Sequence, residues 1–188
     1  IIVASNASPA VSIYGTQDLI LGNITTGSAG DRGGLLIGDH QDVRSRRTEG
    51  SITQSAGTDI KISYVTAGQN NSTGSILLNS ATNEIDEINY FWRRGPLHIV
   101  DSEGGLTFTS SADAGSVNNR VIITTPGLLD LGANRIRSSE LQLDVGAGLA
   151  NPTDIALAGT NAFDAHDGTG NLVINANGKS INQTARFY

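Results

Sequence analysis

The sequence predicts an all-β chain of short strands that stack on neighbours to close a core. Three observations predict it. Short phrases of apolar, any, apolar residues recur and end in Gly or Asn, as in Leu128 to Ile136 (LLDLGANRI) and Asn171 to Gly178 (NLVINANG). Gly makes up 23 of 188 residues, about 12% against about 7% in average usage. Aromatic residues are only 5% of the chain, with Trp92 the single Trp, so large anchors for a thick globular core are scarce.

The strands follow in chain order. Clear phrases are Leu19-Ile20-Leu21, Leu35-Leu36-Ile37, Ile76-Leu77-Leu78, Leu129-Asp130-Leu131, Leu143-Asp144-Val145, Ile155-Ala156-Leu157 and Leu172-Val173-Ile174. Their first apolar positions, with the fourth counted from Leu129, are 16, 41, 53, 14, 12 and 17 residues apart. Weaker copies, Ile60-Lys61-Ile62, Leu97-His98-Ile99 and Leu106-Thr107-Phe108, fill the wide gaps. A polar middle residue between two apolar ones is the period-2 pattern of a strand with one dry and one wet side. The near-regular steps of the last third point to stacked repeats.

Helical signal is weak. In Thr82 to Arg94 (TNEIDEINYFWRR), Ile85, Ile88 and Phe91 or Trp92 fall at helical spacing, with acids at the start and two Arg at the end. The same segment ends as a strand, INYFW, and both readings stand. Residues 30–34, 68–74, 110–119 and 158–170 read as loops from their Gly, Ser, Asn and Asp content. The length suits one ordinary domain or two small ones. The chain divides into an irregular β-rich part, residues 1–125, with room for a knob or attachment region, and a repetitive part, residues 126–188.

Energetics set the expectation about assembly. Burying one Leu or Ile contributes roughly 1.5–3 kcal/mol, while ordering one residue's backbone costs about 1–2 kcal/mol. Two apolar residues per strand are a narrow strip, so neighbours must complete the core. Stacked coils of one chain and copies of the chain are both solutions. The uneven spacing favours copies, with aliphatic side chains from three chains meeting on an axis.

Composition excludes some chemistry. With no Cys there is no disulfide framework and no thiolate metal site. The net charge of −6 is opposite to that of a typical nucleic-acid binder. No apolar run approaches the roughly 20 residues of a membrane helix. The chain lacks Met and begins IIVASNAS, which is expected of a trimmed start or of proteolytic maturation.

Leu-Asp-Leu-Gly-x-Asn-x-Ile at 129–136 and GNLVINANG at 170–178 resemble the repeat phrases of bacteriophage tail-fibre, spike and capsid-decorating (head-fibre) proteins. The resemblance covers about a third of the chain, mostly after residue 120. It implies a homotrimeric, β-rich fibre-like assembly of β-helix or β-prism type, located on the virion. It implies a non-enzymatic structural role that stabilises the particle or attaches to a host surface, with other virion proteins and a host glycan or protein as partners. Some such proteins degrade polysaccharide, which is the enzymatic alternative. A monomeric β-sandwich or β-solenoid carbohydrate-binding module is the other. No cofactor, nucleic acid or membrane insertion is expected.

Tyr90, Trp92, Arg93 and Arg94 concentrate scarce aromatics beside cations, so they are the candidate glycan or receptor contact. Packing in the core or at a subunit contact is the plainer role for Trp92. Asp164, His166 and Asp167 combine oxygen and imidazole donors that suit a divalent cation, although their spacing matches no calcium loop. Asp39, His40 and Asp42 with Arg44, Arg46 and Arg47 form a second mixed cluster, suited to an anionic glycan or a solvated loop. Glu84, Asp86 and Glu87 are candidate paired carboxylates for glycoside hydrolysis, against the plainer role of a charged face. No Gly-x-Ser-x-Gly elbow and no phosphate loop occur.

Overall fold

A computed structural model of the chain describes residues 2–3, 10–13, 18–28, 30–37, 50–68, 74–93, 95–109, 114–130, 136–145, 155–158, 163–165, 171–175 and 181–183. Within these the chain is all-β, with no helix. Three strands, β1 (Ile2–Val3), β2 (Val11–Ile13) and β3 (Leu19–Leu21), come first. Next are β4 (Ile24–Thr26), β5 (Leu35–Ile37) and β6 (Ile52–Gln54). The long strand β7 (Ile60–Gly68) precedes β8 (Ile76–Leu78), and β9 (Glu84–Arg93) precedes β10 (Leu97–Val100) and β11 (Leu106–Phe108). Then come β12 (Ala114–Thr125), β13 (Leu129–Asp130) and β14 (Ile136–Val145). Four strands follow: β15 (Ile155–Ala158), β16 (Phe163–Ala165), β17 (Asn171–Asn175) and β18 (Ile181–Gln183).

All pairings between these strands are parallel, and each strand pairs with one from the next circuit of the chain, so they stack as a β-solenoid. Three stacks run side by side. The first is β1, β4, β7, β9, β11, β13, β15 and β18. The second takes β2, β5, the later halves of β7 and β9, the starts of β12 and β14, and β16. The third is β3, β6, β8, β10, the later halves of β12 and β14, and β17. Each long strand therefore serves two stacks and bends between them. The register of β7 on β9 shifts between Val65 and Thr66, and that of β12 on β14 between Ser116 and Arg120.

The alternation read from the sequence explains the core. Ile60 and Ile62 face in while Lys61 between them is half-buried; Leu97 and Ile99 do the same around His98. Among the described residues, twenty-four buried apolar side chains form one cluster inside the coil. Ile52, Ile76, Ile99, Val121, Ile123 and Leu143 have no exposed surface at all. The expectation that partner chains must complete this core is corrected here. The narrow strips are covered by the strips of the other stacks and of the coils above and below, all from the same chain.

The uneven spacing also has a physical reason. Leu19, Ile52, Ile76, Leu97, Val121, Leu141 and Leu172 stand in register on the third stack, 33, 24, 21, 24, 20 and 31 positions apart. Inward positions hold register because a one-residue slip would turn an aliphatic side chain outward. Extra residues are absorbed between strands. Leu129 pairs with Leu157 and Leu141 with Leu172, so the step of 12 to 17 noticed in the last third separates stacks and is about half a coil.

One open reading is decided and some loop readings change. Residues 84–93 are strand, which decides between the two readings of 82–94. Gly68 ends β7, Ala114–Asn119 lie in β12, and residues 158 and 163–165 lie in strands, so three of the segments read as loops are partly strand. Ladders of the first and third stacks run across residue 125 without a break, through Leu106–Leu129 and Val121–Leu141.

Candidate functional site

Charge gathers on the outside of the first stack. Lys61 of β7 stands in register with Glu84 of β9, so their side chains are neighbours on adjacent coils. Both Lys61 Nζ and Arg32 Nη2 donate to the Glu84 carboxylate, one to each oxygen. Arg32 arrives from the loop between β4 and β5. That loop turns at Gly27, whose φ of 65° lies in the left-handed region and where a Cβ would stand 2.1 Å from the Asp31 carbonyl oxygen. It closes through Asp31 N donating to Ser28 O at 2.9 Å. Gly33 O then accepts from Thr26 Oγ1 at 2.7 Å and from Ser63 N at 3.1 Å, which fastens the loop to the stack. Gly34 lies so close to the Tyr64 ring that a Cβ would stand 2.0 Å from Cζ.

The arrangement leaves Arg32 and Glu84 each only 11% exposed at the side chain. Arg32 Nε is buried without a hydrogen-bond partner among the described residues. Burial raises the Glu84 pKa, but its hydrogen bonds to Lys61 and Arg32 outweigh burial and hold it below the usual carboxylate value. The bond to Glu84 raises the Lys61 ammonium in turn. Asp86, two residues on, is exposed, and desolvation holds its carboxyl above the usual range against the pull of Arg32. Of the three carboxylates singled out by sequence, Glu84 is thus enclosed between two cations, Asp86 stands at the surface and Glu87 is half-buried.

A second polar seam follows the corner between the third and first stacks. Asn23 Oδ1 accepts from Asp59 N at 2.8 Å, and Thr82 Oγ1 donates to Asp59 Oδ1. Asn83, fully buried, exchanges both amide bonds with Gln54 (2.7 and 2.9 Å) and accepts from Ile60 N at 2.9 Å. One coil further on is Asp101, only 2% exposed. Its Oδ1 accepts from Ile85 N at 3.2 Å and Glu103 N at 3.3 Å, and its Oδ2 from Thr125 Oγ1 at 3.0 Å. Desolvation dominates these three bonds and pushes its pKa up to about 6. The chemistry of this seam is that of a strut, exposed at Asn23 and Thr82 and buried at Asn83 and Asp101: every bond joins one coil to the next or closes a turn between them. Sequence reasoning missed Asp101 and Asn83, because a lone acid just after a strand, or a lone amide just before one, carries no motif.

The other residues expected at sites fare differently. Tyr90, Trp92 and Arg93 lie along β9, with Tyr90 in register with Thr66, Trp92 with Gly68 and Gly115, and Arg93 with Ser116. Arg94 lies outside the described residues. Asp164 sits in β16, in register with Arg137; His166 and Asp167 lie outside the described residues, as do Asp39, His40, Asp42, Arg44, Arg46 and Arg47. Among the described residues no three His, Cys, Asp or Glu side chains gather into a metal-binding group. Comparison of the chain with family models, with curated proteins and with solved structures yields no match.

Proposed function

We propose that the chain is a non-enzymatic structural protein of a virion, a fibre, spike or capsid-decorating component whose solenoid is a stiff support for surface attachment. The observation that carries this reading is the parallel solenoid with its aliphatic interior, a form that lengthens by repetition, written in phrases like those of phage appendages at 128–136 and 170–178. The enclosed Glu84 fits a structural role, since a carboxylate held between two cations is a poor proton donor. A homotrimer is not required by the core, which one chain closes. β9 carries the proposed glycan or receptor contact at Tyr90, Trp92 and Arg93, continuing to Arg94.

A solenoid carbohydrate-binding module working as a monomer is the second reading, and the single-chain core favours it. Polysaccharide cleavage is the third, with exposed Asp86 as the carboxyl available to it. Retention on bacterial cells and on a glycan array, compared between the native chain and Trp92→Ala, tests attachment. The proposal expects retention that the variant loses. Absence of retention on every surface would overturn the attachment role, and new reducing ends or unsaturated products from the polysaccharides would replace it with an enzyme.

A further inference from the structure

The third stack carries an outward ladder unlike the charged first stack. Ile20, Thr53, Leu77, His98, Ile122, Gln142 and Val173 stand in register, one per coil. None is acidic or cationic at neutral pH, in a chain with 18 acids and a net charge of −6. The end residues are open, Ile20 at 75% and Val173 at 46% exposure. From either end the order is the same: apolar, polar, apolar, His, apolar, polar, apolar.

We propose that this ladder docks a second copy of the chain, laid antiparallel across a two-fold axis that runs along the strand direction at His98. A two-fold interface sets each rung against the rung equally far beyond the axis. Ile20 of one copy meets Val173 of the other, Thr53 meets Gln142, Leu77 meets Ile122, and the two His98 side chains meet each other. The flanking outward positions, two residues to either side, agree. Glu140 meets Ser51, Asp144 meets Ser55 and Arg120 meets Ser75. The alternative axis, along the stack, would set each rung on itself and press Asp144 of one copy against Glu140 of the other. Charge therefore favours the antiparallel arrangement, which avoids the direct Asp144–Glu140 pairing and brings Glu140, already paired with Arg120, to Ser51 beside Asp18. Arg120 is neutralised within its own chain by Glu140, at 2.9 Å, and donates to Gln142 Oε1 at 2.5 Å.

The patch size sets the strength. Six spacings of about 4.8 Å and five residues of about 3.3 Å make a face of roughly 29 by 16 Å. That is below the roughly 800 Å² per partner of a standard stable interface, so the dimer is weak and reversible. His98 is half-buried, and burial and Arg120 both lower its pKa. It is neutral at pH 7.5, so the two imidazoles that meet on the axis carry no like charge, with Arg120 the nearby cation and Asp18, Glu140 and Asp144 the acids at the rim.

Sedimentation and light scattering of the full chain over a dilution series test the proposal. The mass is expected to fall from twice 19.5 kDa towards 19.5 kDa on dilution at pH 7.5. Ile122→Lys, a half-buried outward position, is expected to stay monomeric with an unchanged melting temperature. The chain has no Cys, so Thr53→Cys and Gln142→Cys can be mixed and joined by a bismaleimide of roughly 10 Å reach, the spacing of packed sheets. Cross-links between the two variants support the arrangement. Preferential cross-linking of Thr53→Cys to itself, a stable mass of three chains, a monomer at the highest concentration, or undiminished association of a folded Ile122→Lys would each overturn it.

Discussion

Replacing Asp101 by Asn should stabilise the protein at neutral pH and leave it nearly unchanged in acid. Asp101 is 2% exposed and its carboxyl titrates near 6 in the folded chain; in the unfolded chain an Asp titrates near 3.9. A raised carboxyl pKa means that folding disfavours the ionised form. Stability from this group is therefore full below about pH 4 and falls as pH rises through 6. A shift of about two units corresponds to about 3 kcal/mol. Asn keeps an oxygen for the Ile85 and Glu103 amides and can donate to the Thr125 hydroxyl, so it imitates the neutral acid. Urea unfolding of both proteins between pH 3.5 and 8 gives the difference in stability at each pH. That difference should grow by about 3 kcal/mol in favour of the Asp101→Asn variant, centred between pH 4 and 6. A flat difference, or one favouring the native Asp101 at pH 7, would refute the reasoning that desolvation outweighs its three hydrogen bonds.

Three other substitutions follow from the same structure. Glu84→Gln should lower stability at pH 7 by about 2 kcal/mol, since it leaves the buried Arg32 facing a neutral amide. Because the Glu84 pKa is depressed, its contribution is present above about pH 4.5 and fades as pH falls through its folded value, so the loss should shrink in acid. Gly34→Ala should cost about 1–3 kcal/mol in thermal unfolding, through the approach to the Tyr64 ring, and Tyr64→Ala in the same chain should recover much of it. Ile99→Ala, at a fully buried site in the middle of the third stack, should cost about 2–5 kcal/mol in urea unfolding.

Much of the fold was legible in the sequence. Ile60-Lys61-Ile62, Leu97-His98-Ile99 and the stronger phrases lie in strands wherever they are described, because alternation along one strand is a local property. Which strand pairs with which was not legible. Leu19 lies on Ile52, 33 residues away, and nothing in either phrase records that distance. The same non-local pairing hid the closed core: strips that look narrow one at a time are covered once three stacks of one chain face each other. Residues 82–94 were ambiguous because Ile85 and Ile88 are three apart, a helical interval. Here that interval is set by the bend of β9 between two stacks, with Asp86 and Glu87 between the two inward residues. Glu84 was noticed for its neighbours in sequence, Asp86 and Glu87, whereas its partners are Arg32 and Lys61, brought to it by a glycine turn and by strand register. Asp101 became visible only through burial.

The central claim is that one chain winds on itself as a parallel solenoid with its coils in the register described. Spin-label pairs on the third stack measure this directly, diluted in unlabelled protein so that only distances within a chain are read. Pairs at Thr53 and His98, Thr53 and Gln142, and Ile20 and Val173 are two, four and six coils apart. The distances should rise by about 10 Å per two coils, to roughly 29 Å for the last pair. Distances that do not rise in that order, or that vanish on dilution because they arise between chains, would contradict it.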